Sequence, residues 1–313
     1  MYRQRKIWSL AVAIFFPLTV AAAQPPTLSE VIAASKPTDW RALDSENTVY
    51  LDLEAGRVVI EMAPAFAPLH VANIKRLAQE HYYDALSIIR VQDNYVVQWG
   101  DPDNRHPTPS SAQSVPPEFE RPMSRQVPFT PLSDGDVYAS QVGFSTGFPV
   151  ARNPTQGRMW LAHCYGMVGV GRDVAVTSGS GAEIYVVIGH SPRHLDRNVA
   201  LVGRVIKGLE LLSSLPRGSG AMGFYEKPEQ HVKIKSLRMQ SQVAADEWEH
   251  LEVMRTDTPA FAAVVQSRRN RTDAWYAYRA DRIELCNVPV PVREVARDAG
   301  TAGHVRLSRL VFP

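Results

Sequence analysis

The sequence predicts a mainly β chain: a closed antiparallel barrel of roughly eight short strands with two helices, followed by a C-terminal extension. Three observations predict it. TVYLDLEAGRVVIEM (48–62) alternates apolar and polar positions around an Ala-Gly turn, the pattern of a β-hairpin. Short strand-like runs recur after it as far as residue 239. Two helical patterns interrupt them, too few for the strand–helix alternation of a parallel sheet.

The chain opens on basic MYRQRK, continues with apolar IWSLAVAIFFPLTV and reaches small residues in AAAQPP, with a cleavage point after Ala23. The apolar run is too short for a comfortable membrane span. Residues 1–23 therefore read as a secretory signal peptide, and the compartment that fits is a bacterial periplasm, because two cysteines make no multi-disulfide scaffold. Residues 24–46 form a lead-in with one short helix. After the hairpin, PAFAPLHVANIKRLAQEHYY carries Leu69, Ala72, Ile74 and Leu77 near helical spacing, with its prolines at the entrance.

SIIRVQDNYVVQWGD (87–101) makes one or two strands. Residues 102–156 are a proline-rich insertion with little periodicity and one short strand expected near FTPLSDGDVYAS. GRMWLAHCYGMVGVGRD (157–173), AEIYVVIG (182–189) and VALVGRVIKG (199–208) are further strands, LELLSSL is a brief helix, and HVKIKSLRM (231–239) closes a domain of residues 47–239. In the extension, 240–313, a helix is expected around 258–271. Its apolar residues Phe261, Val264, Val265, Trp275, Tyr276 and Tyr278 are expected to pack onto the barrel, the alternative being a partner surface rimmed by Arg268, Arg269 and Arg271.

Composition and motifs exclude several classes. Thirty-four basic against thirty-two acidic residues give a net charge of +2, so no overall field draws the chain to nucleic acid or an anionic membrane. GMVGVGRD lacks the spacing and the following helix of a phosphate loop, and neither G-x-S-x-G nor H-E-x-x-H occurs. His190, His194 and Asp196 lie within seven residues, but Pro192 interrupts them and no metal is expected. Cys164 and Cys286 leave two readings: a bond closing a loop of more than a hundred residues, or, the plainer and preferred one, two unpaired thiols.

Arg90 and Gln98 break the apolar pattern of the 87–101 strands. Together with Tyr95, Val96, Gly100 and Asp101 they resemble the cyclophilin pattern, in which F-H-R leads into G-F-M-x-Q-G-G-D. Later segments keep the family's order: GRMWLAH resembles G-x-L-S-M-A-N, AEIYVVIG resembles the S-Q-F-Y-I strand, and HLDRNVALVGRVIKG resembles the final L-D-G and V-F-G segment. The resemblance covers about residues 47–239. It implies a cyclophilin-like barrel with two capping helices, cis/trans isomerisation of X-Pro bonds and no cofactor. The implied partners are proline-containing polypeptides, with no nucleic acid and no membrane after signal cleavage.

The same resemblance implies site roles. Arg90 stabilises the twisted imide and Gln98 orients it; Tyr95, Val96, Tyr185 and Leu195 line the proline pocket; Ala162, His163, Glu183 and His194 lie along the substrate. Several positions depart from the family. Tyr95 replaces phenylalanine, Val96 methionine, Ile89 histidine, His163 asparagine, Glu183 glutamine and Val199 the pocket histidine, while His194 stands where many members have tryptophan. Glu183 is expected either to pair with Arg90 or to orient it. A cyclophilin-like module that holds proline segments without turning them is the alternative function, and Arg90 is the residue that separates the two.

Overall fold

The computed structural model describes residues 26–84, 86–101, 114–271, 273–295 and 307–311. The predicted signal peptide and residues 102–113 of the insertion lie outside them. The helices are α1 (Leu28–Ala34), α2 (Pro68–Gln79), α3 (Leu209–Ser213) and α4 (Pro259–Arg269). The first strands are β1 (Trp40–Ala42), β2 (Thr48–Leu53), β3 (Gly56–Met62), β4 (Ser87–Val91) and β5 (Val96–Gly100). Then come β6 (Arg121–Pro122), β7 (Thr130–Leu132), β8 (Gln141–Ser145), β9 (Phe148–Asn153), β10 (Arg158–Leu161) and β11 (Met167–Val170). The last are β12 (Ile184–Val187), β13 (Leu201–Lys207), β14 (Val232–Met239), β15 (Leu251–Met254), β16 (Val292–Val295) and β17 (Leu307–Val311).

Eight strands close a barrel in the order β11-β12-β5-β4-β14-β2-β3-β13, each pair antiparallel. Alternation along the strands sends Leu51, Val58, Ile60, Val97, Trp99 and Val186 into one apolar core, which α2 and α3 cap with Ile74, Leu77, Leu209 and Leu212. Each such side chain contributes about 1.5–3 kcal/mol by leaving water. The predicted face of α2 is partly corrected. Ile74 and Leu77 point inward with Val71 and Ala78, but Leu69 and Ala72 face out. At this helix start, Glu118 of the insertion accepts from the backbone N–H of Leu69 at 3.0 Å and of His70 at 2.9 Å, satisfying donors that every helix leaves open.

The described part of the insertion, from residue 114 on, is more ordered than its composition suggested. Residues 121–161 build a second sheet, β6-β10-β9-β8-β7. GRMWLAH therefore supplies a strand of this sheet, β10, and not of the barrel. Pro122 and Pro131 sit on its edge strands, β6 and β7, where a missing N–H costs nothing.

A third sheet, β1-β15-β16-β17, pairs the lead-in with the extension. Phe144, Trp160, Phe261, Val264 and Leu285 fill a second core between these sheets and the outer barrel residues Tyr50, Val59 and Ile206. The expected packing holds for Phe261, Val264 and Val265, while Trp275 and Tyr278 are exposed. The preferred reading of the cysteines is also overturned: Cys164 and Cys286 form a disulfide, with Cα atoms 5.0 Å apart, that fastens the extension to the segment after β10. Among the described residues no helix is long and apolar enough to cross a membrane.

Candidate active site

Adjacent strands β4, β5 and β12 build one wall of a cleft of about 960 Å³. Arg90 faces Gln98 across the β4–β5 pair, and Gln98 faces Tyr185 across β5–β12, so a pair eight residues apart shares one row with a residue from much later in the sequence. A register shift between Ile88 and Arg90 bends β4 at this point.

Arg90 is half-buried and held by three acceptors. Its Nε donates to the Met222 carbonyl at 2.7 Å, Nη1 to Gln98 Oε1 at 3.0 Å, and Nη2 to Gln92 Oε1. The loop carrying Met222 is itself laced to β4: Phe224 bridges Arg90, and the Tyr225 N–H donates to the Ile89 carbonyl at 2.9 Å. The guanidinium carbon also lies 5.3 Å from the Phe224 ring centroid and 5.7 Å from that of Tyr95. Burial lowers its pKa from the ordinary value, yet a guanidinium stays charged at neutral pH. Three of its five N–H groups are engaged, which leaves two to offer a ligand.

Gln98 is buried, and its amide orientation follows from its neighbours. Arginine only donates, so Oε1 turns to Arg90 and Nε2 is left to donate to Glu183 Oε2 at 2.7 Å. Of the two expectations for Glu183, indirect orientation is the geometry found. Desolvation raises the pKa of its carboxyl, opposed by the hydrogen bond from Gln98.

Beside the cation, Val96, Tyr185 and Val187 form a small apolar cluster with Tyr95 and Val199 packed against it, and Leu195 completes the cleft there. The structure thus brings together Arg90, Gln98, Tyr95, Val96, Glu183, Tyr185 and Leu195.

Three expected residues lie elsewhere. Ala162 and His163 follow β10 and are fully buried, because that strand belongs to the second sheet. His194 is exposed and lines a separate recess of about 560 Å³ with Trp160 and Arg197. Asp196, one of the three weighed metal ligands, instead binds His163 and Arg193.

Gly171 and Arg172 occupy the place along the cleft expected for Ala162 and His163. A Cβ on Gly171 would lie 3.0 Å from Glu183 Cβ and 3.3 Å from Gln98 Nε2, so glycine lets these side chains meet beside it without crowding. A weak signal was present: GMVGVGR (166–172) keeps the leading glycine and the two apolar positions of the G-x-L-S-M-A-N pattern one strand later and closer to AEIYVVIG. Gln92 and Met222 were also missed, the first as a loop polar residue and the second because its contribution is a backbone carbonyl.

Comparison with known proteins agrees with this geometry. A family model described as "Cyclophilin type peptidyl-prolyl cis-trans isomerase/CLD" matches residues 48–239. A probable peptidyl-prolyl cis-trans isomerase of Brucella suis is 26% identical over 227 residues, covering 72% of this chain and 93% of its own. A peptidyl-prolyl cis-trans isomerase-like 4 protein of Mycosarcoma maydis is 27% identical over 192 residues, covering 61% of this chain and 33% of its own. The crystal structure of cyclophilin AquaCyp293 from Hirschia baltica superimposes with a TM-score of 0.66 at 27% identity, covering 85% of this chain and 96% of that one. With the model spanning more than half the chain and coinciding with the closed barrel that carries Arg90, this chain belongs to the cyclophilin-type peptidyl-prolyl cis-trans isomerases.

Proposed function

We propose that the chain is an exported isomerase that speeds X-Pro isomerisation in folding periplasmic polypeptides, with Arg90 as the group that stabilises the twisted bond. The reading of its leader supports export; the site supports the chemistry. An X-Pro bond resists rotation because its C–N linkage has partial double-bond character, with a barrier of about 18–20 kcal/mol. No bond breaks. The protein has to grip the prolyl ring and favour the geometry in which conjugation is lost.

The apolar surface of Tyr95, Val96, Tyr185 and Leu195 suits the ring. When conjugation is lost, the imide nitrogen gains a lone pair, and a free N–H of Arg90 donates to it. That bond strengthens only in the twisted state, so it lowers the barrier and does not merely tighten binding. Gln98, Gln92 and the Met222 carbonyl hold the guanidinium in advance, so little reorganisation is needed as charge develops. The single observation that carries this reading is the threefold anchoring of Arg90 at the edge of the apolar surface.

A protease-coupled isomerase assay on residues 24–313 beside Arg90→Ala, with a panel of X-Pro peptides, tests it. The expected result is faster cis-to-trans conversion that falls at least tenfold in the variant, about 1.4 kcal/mol of lost stabilisation. Protein that binds proline peptides but gives no rate above background would instead be a holding module.

A further inference from the structure

His163 sits outside the cleft, yet both its ring nitrogens are committed to residues that shape it. Nδ1 lies 2.9 Å from Asp196 Oδ1, which also accepts the His163 backbone N–H at 2.9 Å. Nε2 lies 2.8 Å from the Tyr185 hydroxyl. Asp196 closes the turn Arg193–Leu195, and its other oxygen accepts from Arg193 Nε at 2.6 Å. Arg193 is in turn fixed by Asp136 at 2.8 and 3.1 Å.

The protons follow from the partners. A carboxylate only accepts, so Nδ1 carries hydrogen toward Asp196. Burial lowers the His163 pKa and keeps the ring neutral, which leaves Nε2 as an acceptor and makes the Tyr185 O–H the donor. Room for this reach comes from β11. A Cβ on Gly169 would lie 2.3 Å from Tyr185 Cζ and from its hydroxyl, so the phenol passes across that strand only because residue 169 is glycine.

We infer that His163 is a positioning residue of the proline pocket, clamping the Tyr185 ring through one nitrogen and the Leu195 turn through the other. The inference rests on the cleft being the prolyl site. A tyrosine tied at its hydroxyl keeps its ring at one depth, and a turn tied at Asp196 keeps Leu195 beside it. One imidazole therefore sets the spacing of two pocket surfaces without touching the substrate.

The test uses residues 24–313 and steady-state isomerisation of X-Pro peptides, with thermal melts to record folding. His163→Leu and Tyr185→Phe each raise KM about fivefold and change kcat less than twofold. The double variant is no worse than the poorer single one, because both remove the same bond. His163→Gln, which keeps a donor and an acceptor, restores KM to within about twofold.

A His163→Leu protein that melts earlier but keeps its KM would overturn the inference and leave only a structural role. If His163→Leu does not fold, Tyr185→Phe and His163→Gln carry the same test, and an unchanged KM in Tyr185→Phe overturns it. Arg90→Ala is run alongside: failure of that variant to lose turnover refutes the prolyl site itself, a result separate from any behaviour of His163.

Discussion

Arg90 and Glu183 are joined through the Gln98 amide, which accepts from the cation at 3.0 Å and donates to the carboxylate at 2.7 Å. The amide passes a negative charge's influence to the group proposed to meet the developing lone pair. Desolvation raises the Glu183 pKa above 4.5, so at low pH the carboxyl is neutral and Arg90 acts alone.

The activity of Glu183→Gln follows from that arrangement. Glutamine still accepts from Gln98 but never ionises, so kcat/KM at neutral pH rises about threefold, roughly 0.6 kcal/mol. In the parent protein kcat/KM declines as pH rises through the elevated pKa; in the variant that limb is flat. Stability shifts in the same sense. Between pH 4.5 and the raised value the folded state binds more protons than the unfolded one, so folding stability falls with rising pH and the variant escapes the loss. A pH series of rates and of urea melts checks both; a variant slower than its parent at every pH would refute the field argument.

The barrel and the Arg90–Gln98 pair were legible because both rest on local pattern. Strands β2 and β3 announce themselves by alternation, and a cation and an amide eight residues apart interrupt an otherwise apolar pair of strands. The second sheet was not legible: its edge strands contain proline, and they are two and three residues long. An apolar run such as GRMWLAH does not say which sheet it joins, and that ambiguity put the expected substrate residues at Ala162 and His163, outside the cleft, while Gly171 and Arg172 line it. The Cys164–Cys286 bond depended on a Cα separation that only the fold supplies.

That disulfide leads to a second prediction. It closes a separation of 122 residues and joins the extension, through Cys286, to the chain beyond β10. Cross-linking so long a loop restricts the unfolded chain, with a typical contribution of about 2–4 kcal/mol. The Cys164→Ser/Cys286→Ser protein should therefore be less stable by that amount and unfold at lower urea. Reductant should lower the stability of the parent and leave the variant unchanged. Identical melts for the two proteins without reductant would mean that packing of α4 and Leu285 alone fixes the extension.

Glu61 gives the third, and the largest effect on stability. It lies on β3 and meets two arginines: Arg41 of β1 at 2.6 Å and Arg204 of β13 at 3.2 Å. Arg41 also donates to the Thr146 carbonyl at 2.6 Å, while Arg204 lies over the Phe148 ring, so one carboxylate links the barrel, the lead-in and the β8–β9 turn. Burial pulls the Arg204 pKa down to about 10, which still leaves it charged at neutral pH. Glu61→Ala strands that buried cation, and breaking such a pair costs about 3–5 kcal/mol. Glu61→Leu/Arg204→Met removes the stranded charge along with its partner and should recover most of the loss, because an apolar pair of similar volume needs no compensation. Urea melts of the three proteins at neutral pH decide it: a double variant no more stable than Glu61→Ala would place the cost in lost contacts with Arg41 and not in the desolvated Arg204.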